Sequence, residues 1–345
     1  MKRIFTILTI LLLLIPSCRR NTGYVMIQGY AQGGTYTVKL NMDGVAVSPE
    51  KIREGIDSVL TLIDTTLSGY NKGSILSAFN RGEKVRPNPL FLDMYSLAYS
   101  WYERTEGAID CAAGPVFDLW GFGFKSGEMP SDEDVRSAVA SSGMGRLSKE
   151  ISSLVGEDGF LNPSDIVLSG DAALPVLNYN AIAQGLSADM VAAYLSKLGV
   201  KDMLVDIGEI FCKGVNPDGR AWSVGIDRPV DGNNSPGADL EGVWRSKGTP
   251  CGIVTSGNYR KFYVRDGRKY AHTIDPRTGY PADNGLLSAT VVSSDAASSD
   301  ALATFCMVIG PDSAKELILS LPDVEACLIT STQSDSMSVW SSPGF

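Results

Sequence analysis

The alternation of apolar and polar positions along this 345-residue chain predicts a mixture of helices and strands. Apolar residues recur at helical spacing after Ser48-Pro49, a favourable N-cap and first-turn pair, and they predict a helix that ends at Gly69. The run from Tyr24 to Asn41 alternates around Gly33-Gly34 and predicts a pair of strands. The same helical periodicity predicts further helices over 89–106, 131–142, 180–198, 299–309 and 312–321.

Strand-like runs dominate the second half of the chain. They cover 203–212, 222–227, 252–255, 261–265 and 286–293, whereas 143–178 carries turn signals with short strand-like runs between them. Helices and strands alternate irregularly, which favours an α+β, mixed α/β fold over a regular βαβ array. The sequence contains neither a Gly-x-Gly-x-x-Gly motif nor a P-loop.

The first residues are typical of a targeting signal. Lys2 and Arg3 precede the apolar stretch 4–15, which spans about 18 Å as a helix and is shorter than a hydrocarbon core of roughly 30 Å. Cys18 follows directly after Pro16-Ser17, as in a bacterial lipobox. We therefore expect a lipoprotein signal peptide over 1–17, a lipidated Cys18, a short tether over 18–23 and one folded domain over 24–345. Ordinary secretory cleavage with an incidental Cys18 is the alternative, and both predict export from the cytoplasm.

Charge and cysteine content exclude several classes of function. The chain has 39 acidic and 30 basic residues, and no run of basic residues is longer than Arg19-Arg20. Nucleic acid is therefore not expected as a partner. Five cysteines remain after Cys18, an odd number at wide spacing without a Cys-x-x-Cys pair. We expect them to be small buried hydrophobic residues, and not a disulfide framework or a zinc site. They are Cys111, Cys212, Cys251, Cys306 and Cys327.

The single histidine, His272, is the candidate general base, because imidazole titrates near neutrality. A structural role is the alternative for a lone histidine. The following Asp275-Pro276 and Thr278-Gly279 predict a tight turn that would hold the imidazole at the mouth of a loop.

Asp300 and Thr304 are the candidate metal ligands. They are four positions apart, so on a helix their oxygens lie on one face, and such ligands suit a hard cation such as Mg²⁺. The alternative is that Ser299 or Asp300 only caps the helix.

Two further features could contact a ligand. Ser256 and Gly257 end an apolar strand, where small residues let backbone amides approach a phosphate, although a plain β-turn would have the same sequence. Tyr70 follows the glycine at the end of the first helix and could stack on a planar ligand or pack on the core.

Six motifs in order resemble the ApbE family, whose members are Mg²⁺-dependent FAD:protein FMN transferases and commonly lipoproteins of the bacterial envelope. The resemblance implies a two-lobed fold with the FAD cleft between the lobes. The motifs are Gly34–Val38, Ser68–Tyr70, Gly107–Asp110, Thr255–Tyr259, His272–Gly279 and Asp300–Thr304.

The resemblance also implies roles for individual residues. Tyr70 would stack on the isoalloxazine and His272 would act as the base. The Mg²⁺ ion would be bound by Asp300, Thr304 and the backbone of Ala181 and Ala303. The remaining FAD-binding candidates are Gly33, Ala108, Ile109, Asp110, Asn178, Gln184, Ser256, Gly257 and Ile274.

The segment from Asn178 to Gly185 is similar to the family's Asp-Leu-Gly-Gly-Ile-Ala-Lys-Gly but has amides at Asn178 and Gln184 in place of the carboxylate and the lysine. The implied reaction cleaves FAD, esterifies FMN to a Thr or Ser of an exported acceptor and releases AMP. The implied acceptor is a subunit of an Rnf-type or Nqr-type electron-transfer complex or another exported flavoprotein, and the implied location is a lipid-anchored one facing the periplasm. Two alternatives remain open: a Mg²⁺-dependent FAD pyrophosphatase and a non-catalytic flavin-binding lipoprotein.

Overall fold

The computed structural model describes residues 23–122, 129–168, 174, 176–233, 235–260, 262–265, 268–332 and 336–345. The predicted signal peptide, Cys18 and the tether up to residue 22 lie outside the described residues. Within the described part of the chain, no helix is long and apolar enough to cross a membrane.

The described residues form helices and strands in the irregular order expected of an α+β protein, and this fold class is confirmed. The strands are β1 Tyr24–Ala31, β2 Gly34–Asn41, β3 Met203–Asp206, β4 Ile210–Lys213, β5 Ser223–Asp227, β6 Leu240–Arg245, β7 Cys251–Gly257, β8 Phe262–Arg265, β9 Arg268–Ala271, β10 Ile274–Asp275, β11 Tyr280–Pro281, β12 Leu286–Ser293, β13 Glu325–Ser331 and β14 Met337–Ser341. The helices are α1 Pro49–Leu67, α2 Ile75–Asn80, α3 Pro89–Arg104, α4 Gly114–Leu119, α5 Asp132–Ser141, α6 Ala183–Lys197, α7 Ala296–Ile309 and α8 Pro311–Ser320.

One antiparallel sheet of eight strands organises the fold, in the order β1-β2-β3-β4-β7-β12-β13-β14. Both of its faces are covered, because successive side chains of a strand point to opposite sides. In β13, Leu328 packs into the main core with the helices, whereas Cys327 and Ile329 belong to a second cluster that includes Trp222 and Trp244. The β5–β6 hairpin therefore covers the face opposite the helices.

A third, smaller cluster lies around α4 and α5. It is built from Ala113, Val116, Trp120, Val135 and Ile274. Ile274 belongs to β10, so the β10–β11 pair that follows His272 packs on α4 and α5.

Two predicted helix starts, those of α1 and α5, are confirmed in atomic detail. The Ser48 hydroxyl accepts from the Lys51 amide at 3.4 Å, and Pro49 is the first helical residue of α1. Ser131 and Asp134 form a complete capping box at α5. These starts depend on neighbouring residues only, which is why the sequence predicts them.

Other boundaries were predicted wrongly. The single strand expected over 203–212 is two strands, because Gly208, with φ +93°, reverses the chain and pairs Asp206 with Ile210. The helix expected from 180 begins at 183, and the one expected from 299 begins at 296. In 143–178 the described residues form 3-10 turns at Met144–Arg146, Ile151–Leu154 and Pro163–Ile166, with isolated bridges in place of strands.

Gly252 allows the start of α7 to lie directly on β7. A Cβ at Gly252 would lie 2.3 Å from the backbone N and Cα of Ala296. We expect Gly252→Ala to lower the free energy of unfolding by about 1–3 kcal/mol, because the helix must move away from the strand. Urea denaturation measures this loss. Gly242→Ala is the matched strand control, because no atom lies within 4 Å of its added Cβ. Equal losses in the two variants would contradict the close contact.

Candidate functional site

The N-terminus of α7 is bound by a carboxylate from another helix. Asp189 of α6 accepts hydrogen bonds from the amides of Ala296 and Ala297, each at 2.8 Å. Asp295 caps the helix and accepts from the Ser298 amide at 2.7 Å. The alternative role of Ser299 or Asp300 as the cap is therefore wrong. Burial raises the pKa of Asp189 to about 6 against the opposing effect of the two amides.

Asp300 lies one turn further into α7 and is buried, with 5% of its surface exposed. Its Oδ2 accepts from the Gly185 amide of α6 at 3.1 Å. Burial raises the pKa of Asp300, the Gly185 amide opposes this, and the nearby Asp189 carboxylate adds to it. A buried carboxylate with an acidic neighbour is stabilised in its charged form by a bound cation.

Thr304 follows on the same helix and faces the end of β7. Its Oγ1 lies 3.3 Å from the Ser256 hydroxyl, and Ala303 between the two candidate ligands is fully buried. Among the described residues, no group of three or more His, Cys, Asp or Glu side chains is placed to hold a metal. The side-chain donors that the structure shows at Asp300 and Thr304 are carboxylate and hydroxyl oxygens, which suit a hard cation such as Mg²⁺ better than zinc.

The segment that precedes α6 connects Tyr70 to this region. The Asn178 side chain is buried and accepts from the Asn180 amide at 3.0 Å, which holds the turn before the helix. Asn180 Nδ2 in turn donates to the Tyr70 hydroxyl at 3.4 Å. Tyr70 keeps 65% of its surface exposed, so its ring is accessible to a planar ligand. Ala181 is half-buried in the same turn.

Two reversals of the chain lie against the first turns of α6. Gln184 Nε2 donates to the Ile207 carbonyl at 3.4 Å, beside the β3–β4 reversal. Gln32 Nε2 donates to the Ser187 hydroxyl at 2.6 Å. This bond brings the β1–β2 turn, which contains Gly33, to the same end of α6.

The segment between α3 and α4 contains three buried residues, Ala108, Ile109 and Asp110, which are called the wall. The Asp110 carboxylate accepts from the amides of Ala112 at 2.8 Å and Met144 at 3.0 Å. Burial raises the pKa of Asp110 to about 6, against the opposing effect of both amides. Its side chain therefore stabilises the wall itself. The Asn178 amide donates to the carbonyl of the next residue, Cys111, at 2.7 Å and joins this wall to the turn before α6.

His272 lies half-buried between β9 and β10, and its ring centroid is 6.4 Å from that of Phe122. Thr273 next to it donates to Asn258 Oδ1 at 2.9 Å, which joins the histidine loop to the end of β7. The predicted tight turn is confirmed, because the Gly279 amide donates to the Asp275 carbonyl at 2.8 Å. The Ile274 side chain is buried in the third cluster.

Hydrogen bonds join some of the predicted residues to one another or to their neighbours. Ser256 contacts Thr304, and Asp300 accepts from the Gly185 amide in the first turn of α6. Thr273, next to His272, donates to Asn258, which lies two residues after Ser256 in the chain. Asp189, Asn180 and Gln32 were not predicted from the sequence as site residues. Asp189 carries a signal that could have been used, since it is the only acidic residue within α6.

A cavity of about 350 Å³ lies beside the histidine loop. Ala271 and Asn258 contribute to its lining, together with Trp120, Tyr270 and Tyr280. None of the residues predicted to contact FAD or a metal lines it. The chemistry predicted from the sequence is therefore adjacent to this cavity and not inside it.

Comparisons with known proteins agree on one family. The ApbE family model matches residues 32–328. An FAD:protein FMN transferase from Vibrio cholerae is 32% identical to this chain, and the match covers 87% of this chain and 86% of the relative. An FAD:protein FMN transferase from Escherichia coli K12 is 30% identical, and the match covers 96% of this chain and 90% of the relative. The solved flavin transferase ApbE from V. cholerae has a TM-score of 0.74 at 29% identity, covering 93% of this chain and 98% of the other. The apo flavinyl transferase ApbE from Pseudomonas stutzeri has a TM-score of 0.76 at 28% identity, covering 93% and 95%.

Asp110 gives the first prediction of this site. Because its pKa rises from 3.8 to about 6 on folding, the folded state holds the proton more tightly than the unfolded state. Ionisation of Asp110 therefore costs stability as pH rises from about 4 to about 6, by up to about 3 kcal/mol. Asp110→Asn should flatten this part of the pH profile of the unfolding free energy, measured by urea denaturation. Asp312→Asn, with a side chain 94% exposed, should keep the wild-type slope. An unchanged slope in Asp110→Asn would refute the assignment.

Asp189 gives the second prediction. Asp189→Ala leaves two helix amides without their acceptor, so we expect a loss of about 1–3 kcal/mol in unfolding free energy. Hydrogen exchange of the Ala296 and Ala297 amides should also accelerate. Asp189→Asn keeps one acceptor oxygen and should lose less. If both amides exchange at the wild-type rate in Asp189→Ala, the proposed anchoring of α7 is incorrect.

Proposed function

Because the chain belongs to the ApbE family and is therefore a transferase, we propose that it is a Mg²⁺-dependent FAD:protein FMN transferase. It would cleave FAD, attach FMN through a phosphoester to a Thr or Ser of a second protein and release AMP. The observation that carries this proposal is the contact of α7 with the first turn of α6, where Gly185 bonds Asp300, and with the end of β7, where Ser256 contacts Thr304.

The donors at this convergence fit the ion that the reaction requires. Asp300, Thr304 and the backbone of Ala181 and Ala303 would hold Mg²⁺. When bound, the ion would neutralise charge on the pyrophosphate oxygens. The raised pKa of the buried Asp300 supports this assignment, since a cation replaces the solvation that the carboxylate has lost.

FAD would occupy a cleft between two lobes, beside the turn before α6. The exposed ring of Tyr70 would stack on the isoalloxazine. Asn178 and Gln184 would offer amide groups to the ligand, and the backbone at Ser256 and Gly257 would approach a phosphate. The remaining lining would come from the β1–β2 turn at Gly33, the wall Ala108–Asp110 and the loop at Ile274.

His272 would remove the proton from the acceptor hydroxyl. The hydroxyl oxygen forms a bond to the phosphorus of the FMN half while the pyrophosphate P–O bond breaks and AMP leaves with the electron pair. The hydrogen bond from Thr273 to Asn258 supports this role, because it fixes the histidine loop to the strand whose Ser256 contacts Thr304.

We further propose an acceptor and a location. The acceptor would be an exported flavoprotein, such as a subunit of an Rnf-type or Nqr-type complex. The predicted signal peptide over 1–17 would direct export and be removed. The lipid on Cys18 would then anchor the domain 24–345 to a membrane of the bacterial envelope, where it would face the periplasm.

The test incubates the full chain, in detergent, with FAD and a co-purified candidate acceptor, with and without Mg²⁺. We expect flavin fluorescence on the denatured acceptor, with AMP in equal amount, only when Mg²⁺ is present. Asp300→Asn and Thr304→Val should each lower AMP release by about 100-fold or more, whereas Thr304→Ser should retain much of it.

Substitution of His272, together with the reaction products, distinguishes the transferase from a pyrophosphatase and from a flavin-binding protein. His272→Asn should lower transfer by about 10²–10⁴-fold while FAD still binds. AMP and free FMN without a labelled acceptor would instead indicate a pyrophosphatase. Bound, intact FAD in the wild type would indicate a flavin-binding protein and would refute the transferase.

A further inference from the structure

Two cysteines face each other at the junction between β4 and β7. Cys212 and Cys251 are direct partners in the antiparallel register, and their Sγ atoms lie 3.6 Å apart. Both are buried and both are free thiols. Among the described cysteines, this is the pair in direct sulfur contact.

The backbone at this pair already has the spacing of a disulfide. Directly opposed Cα atoms in an antiparallel pair are about 4.5–5.5 Å apart, within the range of about 4.4–6.8 Å that disulfides span. Rotation of the two side chains could therefore bring the sulfurs to bonding distance without moving the strands. Cys327 lies in the same apolar cluster but is paired with Thr290 and Ser341, so it lacks a cysteine across the sheet.

The two thiols differ in their environment. The hydrogen bond with Cys212 lowers the pKa of Cys251 against the opposing effects of burial and of the nearby Glu325 carboxylate, with a smaller lowering effect from the Lys247 ammonium. The same hydrogen bond is the larger cause of the raised pKa of Cys212, and burial raises this pKa further. Cys251 also keeps 8% of its surface exposed, whereas Cys212 has none. Cys251 is therefore the thiol that an external reagent meets first.

We propose that Cys212 and Cys251 are a modification site that forms a cross-strand disulfide when the chain meets a small-molecule or protein disulfide. The Cys251 thiolate attacks one sulfur of the external disulfide and releases one thiol. The Cys212 sulfur then attacks Sγ of Cys251 and releases the second thiol. The two cysteines lose two protons and two electrons, and the external disulfide is reduced to two thiols.

This bond would join the two halves of the main sheet. β4 and β7 share three registered pairs, Ile210–Ile253, Phe211–Gly252 and Cys212–Cys251. The same junction supports α7, because Ser299 donates to the Gly252 carbonyl at 3.1 Å. The crosslink closes a loop of 39 residues in sequence separation that contains the β5–β6 hairpin, so we expect a rise in Tm of about 5 °C.

The test uses the full chain, incubated in detergent with oxidised glutathione and then alkylated under denaturing conditions. Trypsin places Cys212 in the peptide 202–213 and Cys251 in the peptide 248–260. We expect mass spectrometry to find these two peptides linked, with the loss of two hydrogen atoms. Recovery of both peptides as alkylated thiols, or each linked only to glutathione, would overturn the proposal.

Thermal unfolding of the same samples tests the structural consequence. Dithiothreitol should lower the Tm of the oxidised wild type and of Cys327→Ser, which keeps the pair. It should leave the Tm of Cys251→Ser unchanged. An equal response to dithiothreitol in Cys251→Ser would show that the stabilising bond lies elsewhere and would overturn the proposed site. The peptide analysis uses the wild type, so it decides the question even if a variant fails to fold.

Discussion

The whole candidate site depends on how closely the start of α7 packs between α6 and β7. Gly185 on one side and Gly252 on the other leave no room for a side chain, since a Cβ on either would lie 2.3 Å from the backbone of Ala296. Asp189 then binds the first two amides of the helix. This arrangement alone brings Asp300 to the Gly185 amide and Thr304 to Ser256, so the local packing of two glycines determines where the candidate ligands lie.

The sequence predicts those parts of the structure that short stretches of chain determine by themselves. Ser48-Pro49 and the Ser131–Asp134 capping box start their helices as expected, because each bond joins residues three apart. The turn after His272 forms for the same reason. The grouping of His272, Asp300 and Tyr70 is implied by the family resemblance and stays a prediction. The structure shows only bonds of their surroundings, from Thr273 to Asn258 and from Asn180 to Tyr70.

What the sequence failed to predict depends on distant residues. The chain reversal at Gly208 was not predicted, because the strands on both sides of it are mostly apolar and their pattern resembles that of one continuous strand. The cap of α7, Asp295, competes in the sequence with Ser299 and Asp300, and the distant Asp189 of α6 also binds the first two amides of this helix. The contact of Cys212 with Cys251 follows from sheet register, which cysteine spacing does not reveal.

The amides at Asn178 and Gln184 change the electrostatics of the site. The buried Asp300 has the Asp189 carboxylate as an acidic neighbour, and no ion pair of Asp300 with a lysine or arginine occurs in the described part of the chain. Gln184 precedes the residue whose amide contacts Asp300, and its side-chain Nε2 donates one hydrogen bond to the Ile207 carbonyl. Glutamine carries no charge, so position 184 offers no counter-ion to the buried Asp300, whereas the lysine of the family motif would bring a positive charge into the first turn of α6. The pKa of Asp300 therefore stays raised by burial and by Asp189, which is the environment in which a cation, if one binds, would stabilise the charged carboxylate most.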